Sequence, residues 1–215
     1  MRILTSLFLA LALSTGLFAG SFEGVIKQAF YDGASDAEYT FTWYVQGDRV
    51  ALEMSAAGET AWFVPRPSEG VVLVHSNQTT DDGQSYYNLL PTGDITSNFK
   101  EGDGFTARGT QKSVQVNGYD CSTVELRGGG IFGTVAYAPS IDVNVGSLTN
   151  VFKTSYEFAA MARAGLVGFP LSSEITARDG GVLASIQTLS IESTPVSDDV
   201  FEAPAGAVDA ATLGH

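Results

Sequence analysis

Short runs of alternating apolar and polar residues, each closed by a turn dipeptide, recur along almost the whole chain. That pattern restricts it to an antiparallel sheet. Glu38 to Gln46 shows it best, with Phe41, Trp43 and Val45 on one face and Thr40, Thr42 and Tyr44 on the other. Gly47-Asp48 turns the chain, and Arg49 to Ser55 follows with Val50, Leu52 and Met54 on one face. Ala57-Gly58 turns again into Thr60 to Val64, which Pro65 and Pro67 are expected to stop, because proline cannot donate to a ladder. Phe22 to Tyr31 before this series, and Gly70 to His75 and Gln84 to Leu90 after it, complete a meander. Farther on, Thr110 to Val116 and Tyr119 to Arg127 flank Asn117-Gly118, a strong hairpin signal since both turn residues must accept positive φ. Thr134 to Ala138 is a further strand candidate. The stretch from Gly165 to Gly206 reads as a closing hairpin, then a clasp that tucks Phe201 into a core.

One segment has helical spacing instead. Leu148, Val151, Phe152, Phe158, Ala159 and Ala162 share a face, with Lys153, Glu157 and Arg163 opposite. Ser147 is suited to an N-cap and Gly165 to a C-terminal stop. The expected architecture is mainly β with one lid helix: a curved antiparallel sheet whose concave face the helix covers. Residues 21–206 form a single domain on this reading, and 207–215 a flexible C-terminal tail.

Residues 1–20 have the layout of a signal peptide. Arg2 is followed by an apolar run from Ile3 to Phe18 and by the small residues Ala19, Gly20 and Ser21. The run is short for a membrane anchor, which needs about 20 residues. No cysteine lies near the cut, so lipidation there is excluded, and a periplasmic or secreted protein is expected. Acidic residues number 24 against 11 basic, and loss of Arg2 leaves 24 − 10 = 14 excess negative charges. With no basic stripe, nucleic acid and anionic membrane surfaces are poor partners. Cys121 is the single cysteine, so no intramolecular disulfide forms, and a buried packing role is expected.

Catalytic groups are scarce. His75 and His215 are the only histidines, and no nucleophile elbow is present. Ser97-Asn-Phe-Lys100 matches Ser-x-x-Lys without its companion motifs. One cysteine and two histidines do not make a zinc site, and the acidic glycine-bearing turns at Asp81-Asp82-Gly83 and Glu101 to Gly104 do not fit a calcium loop. No enzyme, metal or cofactor is therefore expected. The aromatics are the remaining clue. Phe41, Trp43, Val50, Leu52 and Trp62, together with Phe152 of the helix, are the candidate lining of an apolar cavity, or alternatively a packed core.

Several of these segments carry a resemblance: Phe22-Glu-Gly-Val-Ile, Trp43-Tyr-Val-Gln-Gly-Asp-Arg-Val, the hairpin Gln115-Val-Asn-Gly-Tyr-Asp-Cys-Ser-Thr-Val-Glu, Gly168-Phe-Pro-Leu and Phe201-Glu-Ala-Pro-Ala-Gly. Together they resemble the secreted bacterial family called domain of unknown function 4412, whose members look like relatives of the LolA and LolB lipoprotein carriers. The resemblance implies a LolA/LolB-like half-barrel, lidded by helices and able to hold acyl chains. Phe132-Gly-Thr-Val-Ala-Tyr-Ala lacks the tryptophan common there, leaving Tyr137, and arginines are few. Only the fold and an apolar ligand are carried over, not lipoprotein shuttling. The expected function is a non-enzymatic envelope protein that binds a lipid or acyl chain, or a lipoprotein. The alternative is a periplasmic scaffold for another envelope protein. The sequence leaves the oligomeric state open.

Overall fold

The computed structural model describes residues 22–33, 35–81, 83–91, 105–143, 157, 161 and 165–213. The first meander comprises β1 (Gly24–Asp32), β2 (Ala37–Gln46), β3 (Arg49–Ala56), β4 (Glu59–Arg66), β5 (Val71–Thr79) and β6 (Ser85–Pro91). The second comprises β7 (Phe105–Val116), β8 (Tyr119–Gly128), β9 (Ile131–Ala138), β10 (Phe169–Ala177) and β11 (Val182–Glu192). A short β12 (Val208–Asp209) ends the series. All lie in one sheet, ordered β12-β6-β5-β4-β3-β2-β1-β11-β10-β9-β8-β7. The two meanders are joined where β11 returns to pair with β1. Every pairing is antiparallel except that of β12 with β6.

The turn chemistry explains the registers. Asn117 and Gly118 both take positive φ, +49° and +82°, and β7 and β8 pair outward from Val116 and Tyr119. Ala57 and Gly58 do the same at +51° and +88°, so β3 and β4 pair outward from Ala56 and Glu59. Pro65 lies inside β4 rather than ending it. Pairing with β3 stops at Phe63, so the missing N–H falls where that ladder has already run out, while Arg66 still pairs with Val71 of β5.

The sheet is open and curved. Trp43 of β2 and Phe169 of β10 lie three strand spacings apart in the sheet order, roughly 14 Å if flat. Their rings nevertheless meet edge to face with centroids 5.4 Å apart. The concave face between them is a packed core of Phe22, Ile26, Val45, Val50, Leu52 and Leu171. Burying such a face is the main stabilising term for a sheet. Val124, Leu126, Val135, Ile175 and Met161 form a second cluster.

Curvature has a local cause. Register shifts interrupt β1/β11 between Lys27 and Gln28 and β9/β10 between Pro170 and Ser172. Such bulges bend a strand and leave backbone groups off the ladder. A buried polar network answers them. Gln28, 1% exposed, donates from Nε2 to the Pro170 carbonyl (2.8 Å) and to Thr188 Oγ1 (3.1 Å). Thr188 Oγ1 donates in turn to the Leu171 carbonyl (2.6 Å), and Trp43 Nε1 donates to Gln28 Oε1 (2.8 Å).

The expected lid helix over Leu148 to Ala164 falls largely outside the described residues. Glu157 and Met161, one helical turn apart, are helical and buried. Glu157 corrects the expected polar face: it is 1% exposed, and its Oε1 accepts from Ser173 Oγ of β10 at 2.7 Å. Nor is the stretch 207–215 a free tail throughout. Val208 and Asp209 pair with Tyr86 and Tyr87, and Asp209 caps the 3-10 turn Ala210–Thr212 by accepting from the Ala211 amide.

Candidate functional site

Alternation along the strands assigns each aromatic to a face. Trp43 pairs with Leu52, Val45 with Val50 and Phe41 with Met54, so these six share the concave side. Trp43, Val50 and Leu52 are buried within the core, Trp43 to 2% exposure, and Phe41 packs against them half-buried. Trp62 does not join them. It pairs with Glu53, while Phe63 pairs with Leu52, so Trp62 stands on the convex face and Phe63 on the concave one. The two-residue turn at Ala57-Gly58 carried this information, since it forces positions 53 and 62 opposite each other. Phe152 lies outside the described residues.

A row of half-buried apolar side chains leads outward from Trp43 along the concave face. Phe41 stacks on Phe30 (centroids 4.9 Å, 12° between planes), and Tyr39 tilts against both. Met54 and Phe63 continue the row across β3 and β4. A groove of about 250 Å3 follows its outer end, lined by Tyr39, Met54, Ala56, Ala61 and Ser76 among others.

The convex face has a different cover. After β11 the chain crosses β2 to β6, and Val196 and Phe201 bury against Ala51, Val64 and Leu73. This is the expected clasp. Arg49 fixes it twice, lying over the Phe201 ring at 4.1 Å and pairing with Asp198 at 2.7 Å. Arg66 pairs with Glu202 at 3.1 Å.

Between clasp and sheet lies a cleft of about 480 Å3, which sequence reasoning missed. Tyr44, Glu53, Trp62, His75, Asp199 and Glu202 line it. His75, expected at a strand end, sits within β5 and stacks on Trp62 (centroids 4.8 Å, 12°). Its Nδ1 is buried with no hydrogen-bond partner among the described residues, and burial lowers its pKa below the ordinary value. Tyr44 donates to Glu53 Oε2 at 2.7 Å, and burial, then that bond, push its phenol well above the ordinary range.

A serine-histidine relay needs an acid on the second imidazole nitrogen. His75 Nδ1 has none, and Ser97 lies outside the described residues. Among the described residues no group of three or more His, Cys, Asp or Glu side chains is placed to hold a metal ion. Cys121 packs in the core cluster that contains Trp43, and burial raises its thiol pKa. Among the described residues no helix is long and apolar enough to cross a membrane.

No family model matches the chain, that of domain of unknown function 4412 included. No curated protein matches it either. Among solved structures, an uncharacterized conserved protein from Thermus thermophilus is similar at TM-score 0.49 and 11% identity, over 88% of this chain and 91% of that one. MucB is similar at TM-score 0.45 and 12% identity, over 87% of this chain and 60% of MucB. PNGF-II is similar at TM-score 0.45 and 11% identity, over 87% of this chain and 31% of that one. This chain thus spans under a third of the PNGF-II chain and three-fifths of MucB. The concave row and the convex cleft therefore have to carry the functional reading by themselves.

Proposed function

We propose that the protein is a non-enzymatic binding protein of the bacterial envelope that receives a lipid or acyl chain on its concave face. The supporting observation is the half-buried row of Phe30, Tyr39, Phe41, Met54 and Phe63, which extends an already packed core. Trp43, Val50 and Leu52 form the floor beneath that row, not the walls of a hollow. An acyl chain laid along the row removes further apolar area from water, at about 25 cal/mol per Å2. The export signal expected from residues 1–20 agrees with this reading.

Native mass spectrometry of protein purified from its host is expected to show bound lipid. Displacement of a fluorescent fatty acid should fail in Phe41→Asp and Met54→Asp and persist in Trp62→Leu. Protein that is reproducibly empty, with no fatty-acid binding in the wild type, would sink this reading. A scaffold for another envelope protein is the second reading. The cleft under the clasp favours it, being a polar, aromatic recess away from the concave row. A stoichiometric protein partner that survives delipidation in pull-downs from envelope extracts would support it.

A further inference from the structure

The two ends of the sheet are finished differently. At one end β12 pairs with Tyr86 and Tyr87, and the C-terminal segment thereby closes part of the β6 edge. At the other end stands β7, which pairs with β8 and with no other strand among the described residues. It is twelve residues long, and Gln111 to Gln115 are all exposed. An edge of this kind offers a row of backbone donors and acceptors that another extended chain can pair in register.

The hairpin geometry identifies those groups. Val116 and Tyr119 flank a two-residue turn and so exchange backbone bonds. Alternation then turns the N–H and C=O of Gln115 and Ser113 away from β8. The bulge between Gly109 and Ser113 answers its own polar groups. There the Lys112 amide donates to Thr110 Oγ1, and the Lys112 carbonyl accepts from Thr123 Oγ1, both at 3.1 Å.

Charge decides what kind of chain fits. β7 carries Arg108 and Lys112 and no acidic residue, in a protein with 24 acidic residues against 11 basic. Neither cation enters an ion pair among the described residues. The acids across from the strand on β8 are already engaged, Glu125 by Arg127 at 3.0 Å and Asp120 by the Gln115 amide at 3.0 Å. A second copy of this chain is the wrong occupant. Two-fold pairing centred on Thr110 would set Arg108 opposite Lys112, and like charges directly opposite are destabilising. It would also bring together two chains of net charge −13. A lysine on an edge strand discourages pairing of like with like, and the same charge favours an acidic partner.

We propose that β7 is a docking edge for an extended, acidic segment of another polypeptide, which joins the sheet as a further strand beside β7. Main-chain bonds supply the attachment, and carboxylates set against Arg108 and Lys112 supply the choice of partner. This inference is independent of the concave row and holds whether or not that row takes a lipid.

The test uses the mature chain and an acetylated, amidated peptide, Thr-Glu-Val-Glu-Thr-Glu-Val, with a counterpart in which every Glu is Lys. Hydrogen exchange followed in 1H–15N spectra is expected to show the Ser113 and Gln115 amides protected at least fivefold by the acidic peptide. Val114 and Val116, whose amides face β8, should change little. The lysine counterpart should bind at least tenfold more weakly, and Lys112→Glu should narrow or reverse that preference. Gln115→Pro removes an outward N–H at a position where an edge strand tolerates proline. It should keep the wild-type Tm and weaken the acidic peptide at least tenfold. Two peptides N-methylated on alternate residues, one in each frame, test the same bonds from the ligand's side without altering the protein: one frame should fail to bind and the other should hold. The proposal is overturned if the acidic peptide leaves Ser113 and Gln115 unprotected, if the lysine peptide binds as well, or if the two N-methylated frames do not differ. A dimer of the free protein that Gln115→Pro abolishes would overturn it too, by giving the edge to a second copy. Fatty-acid displacement should be unchanged in Gln115→Pro, so this reading and that of the concave row fail separately.

Discussion

Single residues at the centre of the molecule act through polar satisfaction as much as through apolar packing. Trp43 donates to Gln28, and Gln28 passes the chain of bonds to carbonyls beside a bulge. Trp43→Phe removes the donor and leaves Gln28 Oε1 buried without one. A loss of about 2–4 kcal/mol is expected, combining an orphaned acceptor with lost volume. The same change in a Gln28→Leu background should cost less than in the wild type, because the acceptor is gone. Urea denaturation of the four proteins measures that coupling, and strict additivity would show that the network contributes nothing. His75 carries a pH dependence. Burial holds its folded-state pKa below the ordinary 6.5, so the unfolded chain binds the proton more readily. Stability from this group is complete above about pH 6.5 and falls as the pH drops through that value toward the lowered one. The decline in stability between pH 7 and 5 should be shallower in His75→Gln. An unchanged slope would mean that His75 titrates alike in both states.

At the scale of elements, hairpins were legible and long-range joins were not. Turn dipeptides announced β2/β3, β3/β4 and β7/β8, and they contained the register that puts Trp62 on the convex face. The Phe201 clasp was also readable, as an apolar residue set among turn formers after the last strand. Pro65 misled because a proline forbids a hydrogen bond on only one side of a strand, and sequence does not say which side is still paired. Glu157 misled because its partner, Ser173, comes from a strand sixteen residues away. The convex cleft needed the clasp to fold back over β3 to β5, a contact with no local signature. Equally silent was the seam between the two meanders, where β1 meets β11. Gly24 is a tight point in it: with φ at +150°, a Cβ there would sit 2.1 Å from the Glu192 carbonyl oxygen. Gly24→Ala should cost about 2–3 kcal/mol through strain and forced separation of the backbones. Hydrogen exchange should locate the loss in β1 and β11 before the β2/β3 hairpin. A variant as stable as the wild type would mean the seam opens without consequence.

The whole molecule is one sheet whose halves share a core, since the cluster around Trp43 draws side chains from β1, β2, β3, β8, β9 and β10. Separate unfolding of the two meanders would have to split that cluster, so cooperative unfolding is the expectation. Against this cohesion stands the net charge of −13. Self-repulsion of an acidic chain is relieved by salt over a Debye length of about 10 Å at 0.1 M. The ion pairs that fix the clasp respond in the opposite direction. They are few and accessible, however: side-chain exposures are 40% and 76% for Arg49 and Asp198, and such pairs contribute only about 0–1 kcal/mol each. Repulsion among the many scattered carboxylates should therefore outweigh them. Raising NaCl from 0.01 to 0.5 M at pH 7 is expected to lift Tm by about 2–4 °C, the equivalent of roughly 1 kcal/mol for a chain of this length. Asp198→Asn should respond more strongly, because it loses the pair that salt would have weakened. A Tm that falls with added salt would put the clasp pairs in control of stability, and the arginine–carboxylate contacts would then outrank the apolar seating of Phe201.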